Sequence, residues 1–229
     1  WDALSSACQT RSCSPSNPTT SICSGSLIRL ARLFRTLPNS YIQISMSNLE
    51  AVLQERGAIL RGHFQFASGR HGDTYIEKFR ILQWPDITGQ MCALIADHFR
   101  GVPNLVAGPT TGGIILAYET ARHLGLASFI AERREDGPGR EFRRGFEIGP
   151  GHRVLIVDDV LTTGGSVREV IDAVRTRGAE VVGVGMLVDR TGGKVDFGVP
   201  FFACIPIDVV SWTPEECPLC EKGVELKVT

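Results

Sequence analysis

Val154-Leu-Ile-Val-Asp-Asp-Val-Leu-Thr-Thr-Gly-Gly-Ser166 is the stretch on which the reading of this 229-residue chain turns. Residues 154–157 are continuously apolar, as in a central parallel strand buried on both faces. Two carboxylates, Asp158 and Asp159, follow at the strand's carboxyl end, where open α/β sheets bind their ligands. Ionised together they repel, so they need a cation or several hydrogen-bond donors beside them. Val160 and Leu161 lead into Thr162, Thr163, Gly164, Gly165 and Ser166, and Val167 opens an amphipathic helix. Glycines permit the tight turn, hydroxyls and amide N–H groups converge, and a helix N-terminus favours an anion. A phosphate cradle beside two acids that can accept from a diol matches both halves of a ribose 5-phosphate. P-loop nucleotidases also place acids after an apolar strand, but they require G-x-x-x-x-G-K-[ST]. No such string occurs here, and Gly192-Gly193-Lys194 lacks both the first glycine and the hydroxyl.

Outward from that motif, strands and helices alternate. Strands are expected at 105–107, 128–131, 153–157 and 181–188, with helices at 113–124 and 165–177 and a further helix from Pro85 to about Arg100. Such alternation predicts an α/β fold with a parallel sheet flanked by helices. Ser47 is a candidate cap for a short helix carrying Leu49, Val52 and Leu53, stopped by Gly57. Residues 58–80 hold Phe64, Phe66, Tyr75, Ile76 and Phe79 between glycine-rich turns, a pattern of short antiparallel strands. Residues 1–45 differ from the rest: four arginines (Arg11, Arg29, Arg32, Arg35), one acid (Asp2) and many Ser and Thr. They read as a disordered or non-native extension, or as a transit-like segment, and residues 46–229 carry the domain. A net charge of −1 argues against nucleic acid or an anionic membrane surface as partner. No apolar run approaches the roughly 20 residues that span a bilayer.

Val154 to Ser166 resembles the motif of the type I phosphoribosyltransferases. That resemblance implies a sheet of about five parallel strands under a small hood, built from about 58–80 and the C-terminal region. It also implies that Asp158 and Asp159 hold the ribose hydroxyls of phosphoribosyl pyrophosphate while Thr162 to Ser166 wrap its 5-phosphate, with Val160 and Leu161 counted among the residues that bind the donor. Mg2+ would bind mainly through the pyrophosphate near the two acids. Leu105-Val-Ala-Gly-Pro-Thr-Thr-Gly-Gly113 again runs from an apolar strand through glycines into a helix. It is similar to the family's pyrophosphate loop, which gives Thr110, Thr111 and Gly112 that role. Residues 132–146 hold Arg133, Arg134, Arg140, Arg143 and Arg144 around a Gly-Pro-Gly tip. A solvated charged hairpin would explain them. They also resemble the mobile catalytic loop of orotate phosphoribosyltransferases, in which Arg133 and Arg134 would meet pyrophosphate and Arg134 and Arg140 would act in catalysis. In that family the loop reaches the neighbouring subunit's site, so a homodimer is implied.

The acceptor base is read from the hood and one arginine. Phe64-Gln-Phe-Ala-Ser-Gly-Arg-His71, then Tyr75, is similar to the orotate enzymes' hood. Arg190, after Leu187-Val-Asp, stands where an arginine of that family binds the orotate carboxylate, a bidentate task suited to guanidinium. Thr162, His71 and Lys78 complete the expected base site. The chain departs from the family's pattern at His71 and Gly112, both lysine in many members, and Arg134 replaces a further lysine. Lys78 is the expected source of the charge that Gly112 cannot supply. Transfer to a purine or to uracil, and a non-catalytic sensor of phosphoribosyl pyrophosphate, stay open as alternatives. Cys217-Pro-Leu-Cys220 has metal-knuckle or redox spacing. A zinc site wants four ligands, and Cys204 is the obvious third; a reduced thiol pair is the simpler expectation. Cys92 reads as core, and the cysteine spacing suits a reducing cytoplasm.

Overall fold

Helix α1 (Leu49–Glu55) opens the described part of the computed structural model, which comprises residues 44–66, 68–207 and 209–229. The extension expected over residues 1–45 lies outside the described residues except for its last two. The helix cap falls on Asn48, one residue later than Ser47. Next come strands β1 (Ile59–Gln65) and β2 (His71–Ile76), antiparallel as expected, and a one-turn helix α2 (Lys78–Leu82) that the sequence did not suggest. Glu77 caps α2 by accepting from the Phe79 amide at 3.1 Å. Helix α3 (Pro85–His98) starts on proline, whose missing N–H costs nothing there, and buries Ile87, Met91, Cys92 and Ile95 along one face.

The alternating part then follows: β3 (Leu105–Pro109), α4 (Gly112–Leu124), β4 (Ala127–Arg133), β5 (Arg140–Phe142), β6 (Arg153–Leu161), α5 (Gly165–Thr176), β7 (Glu180–Asp189) and β8 (Phe201–Pro206). The chain closes with β9 (Ser211–Trp212), a short helix α6 (Pro218–Glu221) and β10 (Leu226–Val228). Two sheets result. The larger has the order β5-β4-β3-β6-β7-β8, in which five strands are parallel and β5 is an antiparallel edge. The smaller, β10-β1-β2-β9, is the hood, and its outer strands come from the C-terminal region.

Between β3 and β6 the strand order reverses direction, so the crevice at their carboxyl ends is the topological switch point where such sheets take ligands. Side chains of β6 alternate between two cores. Leu155 and Val157 pack with α1, α3 and α4, whereas Val154 and Ile156 pack with Val167, Val170, Ile171 and Val174 of α5. The strand runs four residues beyond its expected end at Val157, because pairing with β7 continues through Val160↔Val188 and Leu161↔Asp189. Among the described residues no helix is long and apolar enough to cross a membrane.

Candidate active site

Asp158 and Asp159 sit at the end of β6, 6% and 5% exposed, and continue its alternation. Asp158 faces the α5 layer, where the Ser166 hydroxyl donates to its Oδ2 at 2.9 Å and the Asp159 amide donates to its Oδ1 at 2.9 Å. Asp159 faces the other layer, toward α2 and α4. There Lys78 Nζ lies 3.1 Å from Oδ2 and 3.4 Å from Oδ1. The Val160 amide also donates to Oδ1, at 2.7 Å, while Oδ2 receives no aligned hydrogen bond. Burial, reinforced by the neighbouring Asp159 charge, raises the Asp158 carboxyl to about 6. A buried acid pair with one nearby ammonium and an oxygen lacking a donor is short of positive partners.

Gly112 explains itself in this setting. A Cβ built on it would collide with Oδ2 of Asp159, so no side chain fits at this position. The cation beside Asp159 is Lys78 on α2. The Thr110–Thr111 peptide is cis, and Thr111 and Gly112 lead directly into α4. On the opposite side of the crevice Gly164 has φ +78°, a left-handed conformation open to glycine, and Phe197 and Val195 pack 3.1 Å from where its Cβ would be. Thr162, Thr163 and Gly165 are exposed, and α5 begins at Gly165 with its first amides free of intrahelical partners. Leu161 is 1% exposed within the core and Val160 packs against the other core, so each offers the crevice its backbone alone.

Beside the phosphate loop lies a cavity of about 390 Å3, lined by Phe66, Ser68 and Tyr75 of the hood, Thr162 and Thr163, Arg190, Val209, Ser211 and Thr229. The Arg190 guanidinium stacks over Phe66 at 4.7 Å and its Nε is buried without an acceptor. Burial lowers its pKa, and among the described residues it forms no ion pair. A cation held in this way is a receptor for an anionic ligand.

His71, expected at the base, is placed elsewhere. Its Nδ1 lies 3.0 Å from His63 Nε2 and 3.3 Å from Cys220 Sγ, so β2 directs this 4%-exposed side chain into a His–Cys cluster and away from the cavity. Cys204 is not the third member of that cluster: it is buried in the core with Sγ 3.4 Å from the Met91 carbonyl. His63, which sequence reasoning passed over, takes that place.

The arginine-rich segment is a β4–β5 hairpin, tied down by Phe142 in the core and by Phe146 stacked on Phe129 at 4.6 Å. Arg140 is not a lid donor. It is 6% exposed, donates to Thr110 Oγ1 at 3.0 Å and to the Ala131 carbonyl at 3.1 Å, and pairs with Glu169 at 3.2 Å. It braces the pyrophosphate loop from behind. Arg134 is exposed and bidentate to Asp136, at 2.9 and 3.0 Å. Arg144 is likewise bidentate to Glu132, and Arg143 pairs with Glu135 at 2.6 Å. Among the described residues Arg133, at the carboxyl end of β4, is in no ion pair and is the arginine of this segment most available to a phosphate.

Comparison with known proteins agrees with this geometry. Residues 80–214 match the family model for the phosphoribosyl transferase domain. An orotate phosphoribosyltransferase of Caldanaerobacter subterraneus is 47% identical over 176 residues, covering 76% of this chain and 92% of that protein. The one from Pelotomaculum thermopropionicum is 48% identical over 182 residues, covering 79% and 95%. Among solved structures, orotate phosphoribosyltransferase from Aeropyrum pernix superposes with a TM-score of 0.60 at 29% identity, over 69% of this chain and 93% of that one. A switch-point crevice with a buried acid pair, two glycine loops and a cavity under a hood thus occurs in a chain that belongs to the orotate phosphoribosyltransferase family.

Proposed function

We propose that this chain transfers the phosphoribosyl group of phosphoribosyl pyrophosphate to orotate, a step of pyrimidine nucleotide synthesis. An orotate nitrogen attacks C1′, the C1′–oxygen bond to pyrophosphate breaks, and the leaving group departs with the electron pair; orotidine 5′-monophosphate and pyrophosphate are formed. Asp158 and Asp159 accept from the ribose hydroxyls, facing opposite layers so that each is oriented by its own neighbours. Thr162, Thr163, the amides opening α5 and Ser166 hold the 5′-phosphate. Thr110, Thr111 and Arg133 receive the pyrophosphate, with Arg134 at the hairpin tip in reach of solvent-borne charge. The chemistry needs little covalent participation from the protein; it requires placement of two reactants and neutralisation of departing charge.

Mg2+ bound with the pyrophosphate would supply that neutralisation, and an all-oxygen acid pair with one undonated oxygen and too few cations suits a hard divalent ion. Lys78 secures Asp159 before any metal arrives.

One observation carries the choice of acceptor: Arg190 is a half-buried guanidinium, in no ion pair among the described residues, that lines the cavity next to Thr162 and Thr163. Orotate offers a carboxylate to it; uracil and adenine do not. The test is a panel of orotate, uracil, adenine and guanine with phosphoribosyl pyrophosphate and Mg2+, following base absorbance and pyrophosphate release. Turnover with orotate alone supports the assignment, turnover with a purine or uracil replaces it, and ligand binding without pyrophosphate release would make the chain a sensor.

A homodimer is part of this proposal. An apolar hollow lined by Leu82, Pro85, Ile114, Ile115 and Tyr118, with Tyr118 67% exposed, gives a second copy a surface to cover. The four cysteines of the described residues are all free, which suits a reducing cytoplasm.

A further inference from the structure

The four side chains His63, His71, Cys217 and Cys220 play no part in the reaction just described, yet they converge. One ligand atom from each lies within 4.8 Å of every other. His63 Nε2 is 3.0 Å from His71 Nδ1, 3.4 Å from Cys217 Sγ and 3.7 Å from Cys220 Sγ, and Cys220 Sγ is 3.3 Å from His71 Nδ1. Zinc takes sulfur at about 2.3 Å and nitrogen at about 2.0–2.1 Å, so a tetrahedral ion has ligand–ligand edges of about 3.3–3.8 Å. The four separations, 3.0–3.7 Å, lie at or just below those edges, and no pair of ligand atoms is more than 4.8 Å apart. We infer that these four residues form a structural zinc site joining the hood to the C-terminal segment.

The protonation pattern agrees. His63 Nδ1 lies 2.8 Å from the Val224 carbonyl, which only accepts, so Nδ1 carries the proton and Nε2 presents a lone pair to the cluster. A carbonyl behind a ligating imidazole is the usual outer support of a zinc site. A disulfide between the two cysteines would require nothing from either histidine, whereas both rings are turned inward, one from each neighbouring hood strand. Imidazole and thiolate together select zinc over Mg2+ or Ca2+. Four protein ligands leave no open position, which makes the site structural and not catalytic. Zinc enters as the divalent ion, each thiol gives up its proton, and the histidines bind neutral; two protons are released per ion.

The need for such a link is visible in the hood. β9 has two residues and β10 has three, too few to hold a sheet by ladder hydrogen bonds alone. The metal would fasten β1 and β2 to the 217–220 turn, and thereby fix the wall that Phe66, Tyr75 and Ser211 give to the cavity.

The full chain, purified under reducing conditions without an affinity tag that chelates metal, should contain about one zinc per chain by elemental analysis. Apo-protein titrated anaerobically with Co2+ should show the visible bands of a tetrahedral ion and a thiolate-to-cobalt charge-transfer band, and should release about two protons per ion. Cys220→Ser and His71→Ala should each lose the metal. Stripping the wild-type protein should raise hydrogen exchange in residues 59–76 and 211–228 while 153–176 keep their protection. Folded, reduced wild-type protein that holds no zinc and gives no charge-transfer band with Co2+ would overturn the inference without recourse to any variant. So would a Cys217–Cys220 disulfide in protein alkylated and sized by mass directly from anaerobic cells.

Discussion

Replacing Arg190 with alanine tests the acceptor assignment most directly. Its guanidinium is half-buried over Phe66 and forms no ion pair among the described residues. Its charge is therefore held at a desolvation cost that only a bound anion repays, and burial accordingly lowers its pKa. Removing one partner of a buried, hydrogen-bonded charge pair costs about 2–5 kcal/mol. At about 1.4 kcal/mol per tenfold, this corresponds to a roughly 30- to 4000-fold loss of orotate affinity. The cavity opens to solvent, which places the expected loss in the lower half of that range. Stability should move little, because the folded protein loses a cation–π contact of about 0.5–1 kcal/mol and sheds a partly desolvated charge. Initial rates from orotate absorbance at saturating phosphoribosyl pyrophosphate would give KM and kcat; a parallel titration gives KM for the donor. A large rise in orotate KM with donor KM unchanged is the expected result. If Arg190→Ala leaves orotate KM within about threefold of wild type, the guanidinium does not receive the carboxylate and the reasoning fails.

Other consequences concern the donor half and its support. The Asp158 carboxyl is raised to about 6, so the folded state binds a proton that the unfolded state has already lost, and this group's contribution to stability falls as pH rises from about 4 to about 6. Asp158→Asn should thus unfold at higher denaturant than wild type at pH 8, by up to about 3 kcal/mol, while losing turnover by orders of magnitude; a less stable variant at pH 8 would refute the cause assigned to the shift. Gly112→Ala should keep the fold but displace Asp159, lowering kcat/KM for the donor about 100-fold or more, measured by pyrophosphate release. Arg140→Ala breaks a buried guanidinium from Thr110, Ala131 and a partly solvated Glu169, and should cost about 2–3 kcal/mol in urea unfolding. Arg134→Ala, whose partner Asp136 is exposed, should leave the urea midpoint indistinguishable from wild type in the same assay.

The central sheet was legible because its strands are buried on both faces and its helices follow a 3.6-residue period; both patterns survive in a single sequence. Asp158, Asp159 and the glycine loops were legible because strand, acid pair, hydroxyls and glycines are contiguous. What failed was non-local. His71 looked like a base contact because it follows Ser68-Gly69-Arg70, and nothing nearby announces its partners at 217 and 220. His63 could have been found by pairing two histidines in adjacent short strands with the one Cys-x-x-Cys of the body. Arg140 looked like its neighbours on the hairpin, but a short strand alternates, and it is the inward-facing position that receives Thr110 and Glu169. Leu161 read as loop because its pairing to β7 is invisible without the fold. Gly112 reads as a departure from the family's pattern because its neighbour Asp159, which occupies the space a side chain would need, lies 47 positions away in the chain.

The hood also has a history in time. His63 reaches its partner carbonyl at Val224 across 161 residues. At about 5–20 residues per second of synthesis, that is a delay of roughly 10–30 s. During that interval β3 to β8 have all been made, so the switch-point crevice between β3 and β6 can be complete on a nascent chain. The two hood strands made first must wait with both edges unpaired until β9 and β10 arrive to flank them. The switch-point crevice is therefore completed ahead of the hood, whose sheet waits for the later strands β9 and β10 before its edges are covered.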